Sequence, residues 1–97
     1  GFPLTFVSGF AASAHRGVPD TGLLSYGEML DTMRQVGSAL KQIPFFGDGD
    51  TGYGNAVNAK RTVKGYAAAG MLRTTAGITQ CLGHFIAVIH DNKRCPV

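Results

Sequence analysis

The stretch Gly47-Asp48-Gly49-Asp50-Thr51-Gly52-Tyr53-Gly54-Asn55 decides how this chain is read. Ile43-Pro44-Phe45-Phe46 runs into it, short, apolar and marked by proline, which is the composition of a buried strand. A helical pattern of alanines, valines and basic residues follows it. Asp48 and Asp50 therefore stand where a strand ends and a glycine-rich turn begins. If strand geometry persists through Asp50, both side chains point to one face, because strand side chains repeat every second residue. Two carboxylates on one face repel unless a cation or a shared proton intervenes, and the glycines let something approach the backbone closely. A hard divalent ion such as Mg²⁺, held by one or two carboxylates with waters and substrate oxygens completing its shell, suits this arrangement. Asp48 and Asp50 are thus the candidate metal ligands. A solvated acidic turn accounts for the same residues if nothing else is considered.

Upstream, Leu4-Thr5-Phe6-Val7-Ser8 has the residue types of a second strand, with Ser8 and Gly9 at its C-terminal end. Residues 11–23 are small and punctuated by glycine, which predicts a loop or short helix that includes His15 as an exposed residue. Pro19-Asp20-Thr21-Gly22 is a good turn sequence. Ser25 and Glu28 form a capping box, and Met29, Leu30, Met33, Val36 and Leu40 follow near helical period, so a helix with a core-facing methionine stripe is predicted. Strand, helix and strand within about 45 residues describe one βαβ unit, hence a parallel sheet. After the carboxylates, Asn55 or Asn58 caps a further helix that runs to Ala69 and stops at Gly70, with Val57, Val63 and Ala67 expected against the sheet. Lys60, Arg61 and Lys64 read as a solvated face.

Three motifs in order carry a resemblance: Phe6-Val7-Ser8-Gly9, Gly17-Val18-Pro19-Asp20-Thr21-Gly22, and the Asp48–Asn55 run followed by Arg61-Thr62-Val63-Lys64. Together they resemble the isocitrate lyase/phosphoenolpyruvate mutase superfamily. Within it the likeness is strongest to the plant carboxyvinyl-carboxyphosphonate phosphorylmutase-like, petal-death-like group. The resemblance covers residues 1 to about 70. It implies an α/β fold, a portion of a (β/α)8 TIM barrel of about two and a half βα units, whereas a whole barrel needs about 200 residues or more. It also implies a Mg²⁺-dependent lyase or phosphonomutase acting on C–C or P–C bonds of small anionic 2-oxo acids or enolpyruvyl compounds. Under that resemblance Asp48 and Asp50 hold the ion, Ser8 and Gly9 bind the anionic end of the substrate, and Asp20 lies near it. Phe10 stands where many members carry a small residue.

Beyond Gly70 the likeness stops. Members continue into an acidic strand and a mobile loop that supplies general acid–base chemistry. Residues 71–97 lack both, so little turnover is expected from this chain alone. Cys81-Leu82-Gly83-His84 only faintly matches that loop. A shifted frame, retained intron or alternative terminal exon would produce such a change, and the genomic exons test this. A non-catalytic truncated isoform that binds the full-length assembly, or self-association, is the alternative. Cys81, His84, His90 and Cys95 offer another, since their spacing approaches that of a zinc knuckle. Phe85-Ile86-Ala87-Val88-Ile89 opposes it, being a strand-like apolar run.

The bulk numbers agree with a globular chain. Of 97 residues 44% are hydrophobic and only 15% charged, which argues against disorder. A net charge of +3, scattered along the chain, gives no footprint for nucleic acid. No apolar run approaches a membrane span. Two cysteines do not make a disulfide framework, so an intracellular location, chloroplast or cytoplasm, is expected. The chain enters at Gly1 without an initiator Met, so any targeting peptide is expected upstream.

Overall fold

A computed structural model describes residues 1–71 and 73–75. Its elements run in the order strand Thr5–Val7 (β1), helix Gly9–His15 (α1), helix Tyr26–Ala39 (α2), strand Phe45–Asp48 (β2), helix Ala56–Ala68 (α3) and strand Arg73–Thr75 (β3). The three strands form one sheet in the order β1-β2-β3, and both pairings are parallel. This is the parallel sheet that the strand–helix–strand spacing predicts. Its third strand begins just past Gly70. Thr5 pairs with Phe45 and Val7 with Gly47, while Asp48 pairs with Thr75.

The best-specified element is α2. Ser25 Oγ accepts from the Glu28 N–H at 3.3 Å, and the Glu28 carboxylate accepts from the Ser25 N–H at 2.7 Å, so both halves of the capping box form. These bonds to Ser25 hold the Glu28 carboxyl below its ordinary range. Met29, Leu30 and Met33 are buried, and Val36 and Leu40 pack against the same cluster. Period and burial agree because apolar side chains three and four residues apart share one helix face.

That cluster lies on one side of the sheet. Val7, Phe45 and Gly47 turn toward the helices, where Met29, Met33, Tyr66 and Met71 are fully or almost fully enclosed. Gly47 is the point of closest approach. A Cβ there would come within 2.5 Å of Met33 Cε and 2.6 Å of Met71 Cε, so the absent side chain is what lets the two methionines meet the strand. On the opposite face Phe6 and Phe46 stack with ring centroids 4.6 Å apart, and Phe6 keeps 46% of its surface exposed. Alternation along the strands puts Asp48 on this face as well.

One local expectation is made definite and another is corrected. Of the loop or short helix expected over residues 11–23, the structure has the short helix, α1, which starts two residues earlier, at Gly9, because Ser8 caps it by accepting from the Phe10 N–H at 3.2 Å. Its last residue is His15, which is exposed. On α3, Val57 does not face the sheet: it is 73% exposed. The buried stripe is Ala59, Thr62 and Tyr66. Thr62 is tolerated there because its hydroxyl is satisfied by the Gly52 and Asn58 carbonyls at 3.0 and 3.1 Å. Val63 and Ala67 are half-buried. Asn55, not Asn58, is the cap, accepting from the Val57 and Asn58 N–H groups. Among the described residues no helix is long and apolar enough to cross a membrane.

Candidate metal and anion site

Strand β2 ends at Asp48, so the route by which the two carboxylates meet differs from the expected one. Asp50 lies in the following turn, with φ at 45°, not on the strand. Tyr53 also has a positive φ of 61°. Such backbone costs roughly 1–3 kcal/mol per residue and persists only where the surroundings impose it. The surroundings here are specific. The Asp50 N–H donates to Asp48 Oδ1 at 3.0 Å, and the Gly52 N–H closes the turn on the Gly49 carbonyl at 2.7 Å. Thr62 of α3 holds the Gly52 carbonyl. Gly52 has φ at +84°, and a Cβ there would sit 2.7 Å from Ala59 Cβ, so only glycine lets the turn lie on α3.

The turn brings Asp50 back beside Asp48. A Cβ placed on Gly9 would lie 3.2 Å from Asp48 Oδ2 and 3.4 Å from Asp50 Oδ1. The two carboxylates of the β2 end and the glycine of the β1 end therefore border one small space. Asp48 and Asp50 are half-buried and Gly9 is buried. Burial, and then the adjacent Asp48 carboxylate, push the Asp50 carboxyl above its usual range; a hydrogen bond from Tyr53 opposes this, and the charge of Asp20 adds to it.

The remaining expected site residues are placed less directly. The Ser8 hydroxyl serves as the α1 cap, and since it accepts there its own proton is left to donate. Asp20 is exposed in the turn after α1, where Thr21 N–H donates to the Pro19 carbonyl, and it acts on Asp50 through charge. Among the described residues Asp48 and Asp50 belong to no group of three or more His, Cys, Asp or Glu that could hold a metal ion. Cys81, His84, His90 and Cys95 lie outside the described residues, as does the apolar run 85–89.

Sequence reasoning missed two phenols behind Asp50. The Tyr53 hydroxyl donates to Asp50 Oδ2 at 3.2 Å, and the Tyr66 hydroxyl lies 3.2 Å from that of Tyr53. Burial pushes Tyr53 far above its ordinary value and Tyr66 up to about 12, so both are protonated donors at neutral pH. Tyr66 in turn stacks on Tyr26, whose ring Arg61 covers at 4.7 Å. Tyr53 belongs to the motif itself. The signal for Tyr66 was its place four residues from Thr62 and seven from Ala59 on one helix face.

A donor set of two carboxylates around a space that a methyl group would fill fits a small hard cation. Mg²⁺ takes one or two carboxylates and keeps several waters, and the ion would relieve the repulsion from Asp48 that adds to the effect of burial on Asp50.

Comparison with known proteins shows the family of the chain. The family model described as phosphoenolpyruvate phosphomutase matches residues 1–75. The chain is 51% identical over 71 residues to the carboxyvinyl-carboxyphosphonate phosphorylmutase, chloroplastic, of Arabidopsis thaliana, covering 72% of this chain and 21% of that protein. It is 43% identical over 72 residues to the 2,3-dimethylmalate lyase of Eubacterium barkeri, covering 73% of this chain and 25% of that protein. Among solved structures, a phosphonopyruvate hydrolase in complex with oxalate and Mg²⁺ superposes with a TM-score of 0.74 at 42% identity, over 79% of this chain and 27% of that one. The chain thus spans about a quarter of the length of the proteins it matches.

Proposed function

Because the chain belongs to the phosphoenolpyruvate mutase/isocitrate lyase superfamily, we propose that it carries the metal- and anion-binding part of a Mg²⁺-dependent lyase or phosphonomutase. The substrates are small anionic 2-oxo acids or enolpyruvyl compounds, and the bonds made or broken are C–C or P–C. The observation that carries this reading is the approach of Asp48 Oδ2 and Asp50 Oδ1 to Gly9 from a separate strand end. That a relative was crystallised with oxalate, a small dianion, together with Mg²⁺ supports it.

In this reading Asp48 and Asp50 hold the ion, directly or through water. Mg²⁺ bound there supplies Lewis-acid stabilisation of negative charge developing on a substrate oxygen. Gly9 keeps the space open, and the free proton of the Ser8 hydroxyl binds a carboxylate or phosphoryl oxygen. Asp20 orders the pocket through its charge. Phe6 and Phe46, on the same sheet face as Asp48, form an apolar wall next to it. No general acid–base residue is assigned among the described residues, so the chain by itself turns over slowly or not at all. An intracellular location, chloroplast or cytoplasm, goes with this reading, and the chloroplastic description of the Arabidopsis relative is in keeping with it.

A thermal melt followed by circular dichroism tests the ion site. A ligand that binds only the folded state raises the melting temperature by mass action. Mg²⁺ is expected to raise it, and Zn²⁺ not to do so selectively. A cooperative melt that Mg²⁺ leaves unmoved refutes the site. Detectable Mg²⁺-dependent cleavage of oxaloacetate or methylisocitrate would refute the low turnover.

The exposed Phe6–Phe46 face favours a second reading, in which the chain is a non-catalytic form that associates with full-length subunits or with itself. Co-purification with the parent protein would support that; a monomer that never co-purifies would exclude it.

A further inference from the structure

Two carboxylates around one small space repel each other, which favours Asp50 turning away from Asp48. The polar groups behind Asp50 oppose that. Tyr53 spends its one hydroxyl proton on Asp50 Oδ2, at 3.2 Å. The 3.2 Å contact with the Tyr66 hydroxyl must then be donated by Tyr66, since a phenol has a single proton. Tyr66 is fully buried on α3 and stacked on Tyr26 at 6.4 Å with the rings 13° from parallel, so the end of this chain of hydroxyls is fixed in the core. The oxygen that Tyr53 engages is Oδ2, whereas the one bordering the Gly9 space is Oδ1.

We propose that Tyr53, backed by Tyr66, is a positioning residue of the ion site: it pins Asp50 Oδ2 and thereby presents Oδ1, together with Asp48 Oδ2, to a divalent cation. This rests on the assignment of Asp48 and Asp50 as the ion's ligands. Hydrogen bonds to the outer oxygen of a ligating carboxylate fix its plane, and their loss costs metal affinity even where the ligands themselves remain. The left-handed backbone of Tyr53 belongs to the same device, since it turns the ring back toward Asp50 three residues earlier. Helices α2 and α3, through the Tyr26–Tyr66 stack, thus back Asp50 by two hydroxyls in direct hydrogen-bond contact.

The test is Mg²⁺ titration by calorimetry of the full 97-residue chain and of its Tyr53→Phe and Tyr66→Phe variants, with the ion-free melting temperature of each. Both variants keep the ring and its packing. Tyr53→Phe is expected to weaken Mg²⁺ binding about tenfold or more, and Tyr66→Phe by a smaller factor of about three, because the direct bond to Asp50 survives. The EPR spectrum of Mn²⁺ bound in place of Mg²⁺ is expected to change with Tyr53→Phe as well. A merely structural tyrosine would lower the ion-free melting temperature and leave both the affinity of the folded protein and the Mn²⁺ spectrum as they were, which would overturn the proposal. If Tyr53→Phe does not fold, Tyr66→Phe carries the test, and an unaltered affinity there overturns it. A folded parent chain that binds no Mg²⁺ refutes the ion site and the positioning role together. Binding by the parent with an equally tight Tyr53→Phe refutes the positioning role alone.

Discussion

Helix α2 and the turn after β2 are built on opposite terms. In α2 every local preference agrees: cap, period, methionine stripe and burial all specify the same helix. In residues 48–54 they conflict. Two non-glycine residues adopt left-handed backbone, two carboxylates are held side by side, and burial raises one of them. The turn's own bonds, from the Asp50 N–H to Asp48 and from the Gly52 N–H to Gly49, do not suffice; Thr62 and Tyr66 of α3 brace it from outside. The difference teaches where to look for chemistry. Local consistency marks the scaffold, and externally imposed strain marks the site.

The largest effect that would break this contrast lies in the scaffold. Met33→Ala empties a position with no exposed surface beneath Gly47 and is expected to cost about 2–5 kcal/mol, enough to abolish a cooperative melt in so small a core. A melt that survives with little change would mean that α2 is not what supports the sheet.

Asp50→Asn acts in the other direction. The Asp50 carboxyl is pushed up in the folded chain, so its contribution to stability is present below the ordinary carboxylate range and is lost as pH rises through the raised value. Replacing it by Asn removes that loss. Without Mg²⁺ the variant is expected to melt above the parent at neutral pH and to lose this advantage in acid. Its Mg²⁺ affinity should fall about tenfold or more. Melting curves at several pH values and a Mg²⁺ titration check both halves. A variant less stable than its parent at neutral pH would show that the turn is not under charge strain.

Ser25→Ala sharpens the comparison at the helix end. Loss of the cap is expected to cost about 1 kcal/mol, or about 4–8 °C in melting temperature for a chain of this size, with no change in Mg²⁺ affinity. At the small end, Val57→Ser should move stability by less than about 0.5 kcal/mol, because the side chain is in solvent. A large loss would restore Val57 to the sheet-facing side of α3.

The legible parts of the fold are those whose causes are local. The capping box at Ser25 and Glu28, the strand at Phe45–Asp48 and the stop at Gly70 depend on neighbours a few residues away. For α1 the sequence left loop and short helix open because its residues are mostly small, with little contrast between faces, and its start at Gly9 was missed because a serine after a strand reads as a ligand as readily as a cap. The buried face of α3 was misread since hydrophobicity chose Val57 over Thr62, and the partner that makes Thr62 acceptable, the Gly52 carbonyl, lies ten residues back. Asp48 and Asp50 could be paired from their spacing, but the turn that pairs them, and the two tyrosines behind it, come from contacts across the fold.

The pairing of Thr5 with Phe45 joins positions about forty residues apart, and it is this pairing that sets Gly9 against Asp48 and Asp50. Closing so long a loop is an entropic barrier that parallel strands must cross before they gain anything from contact. The space bordered by Gly9, Asp48 and Asp50 exists only once the sheet is in register, and on the reading proposed above a divalent ion bound there would slow the unzipping of β1 more than it hastens its arrival. Its rate of release would then serve as a clock for the opening of the sheet.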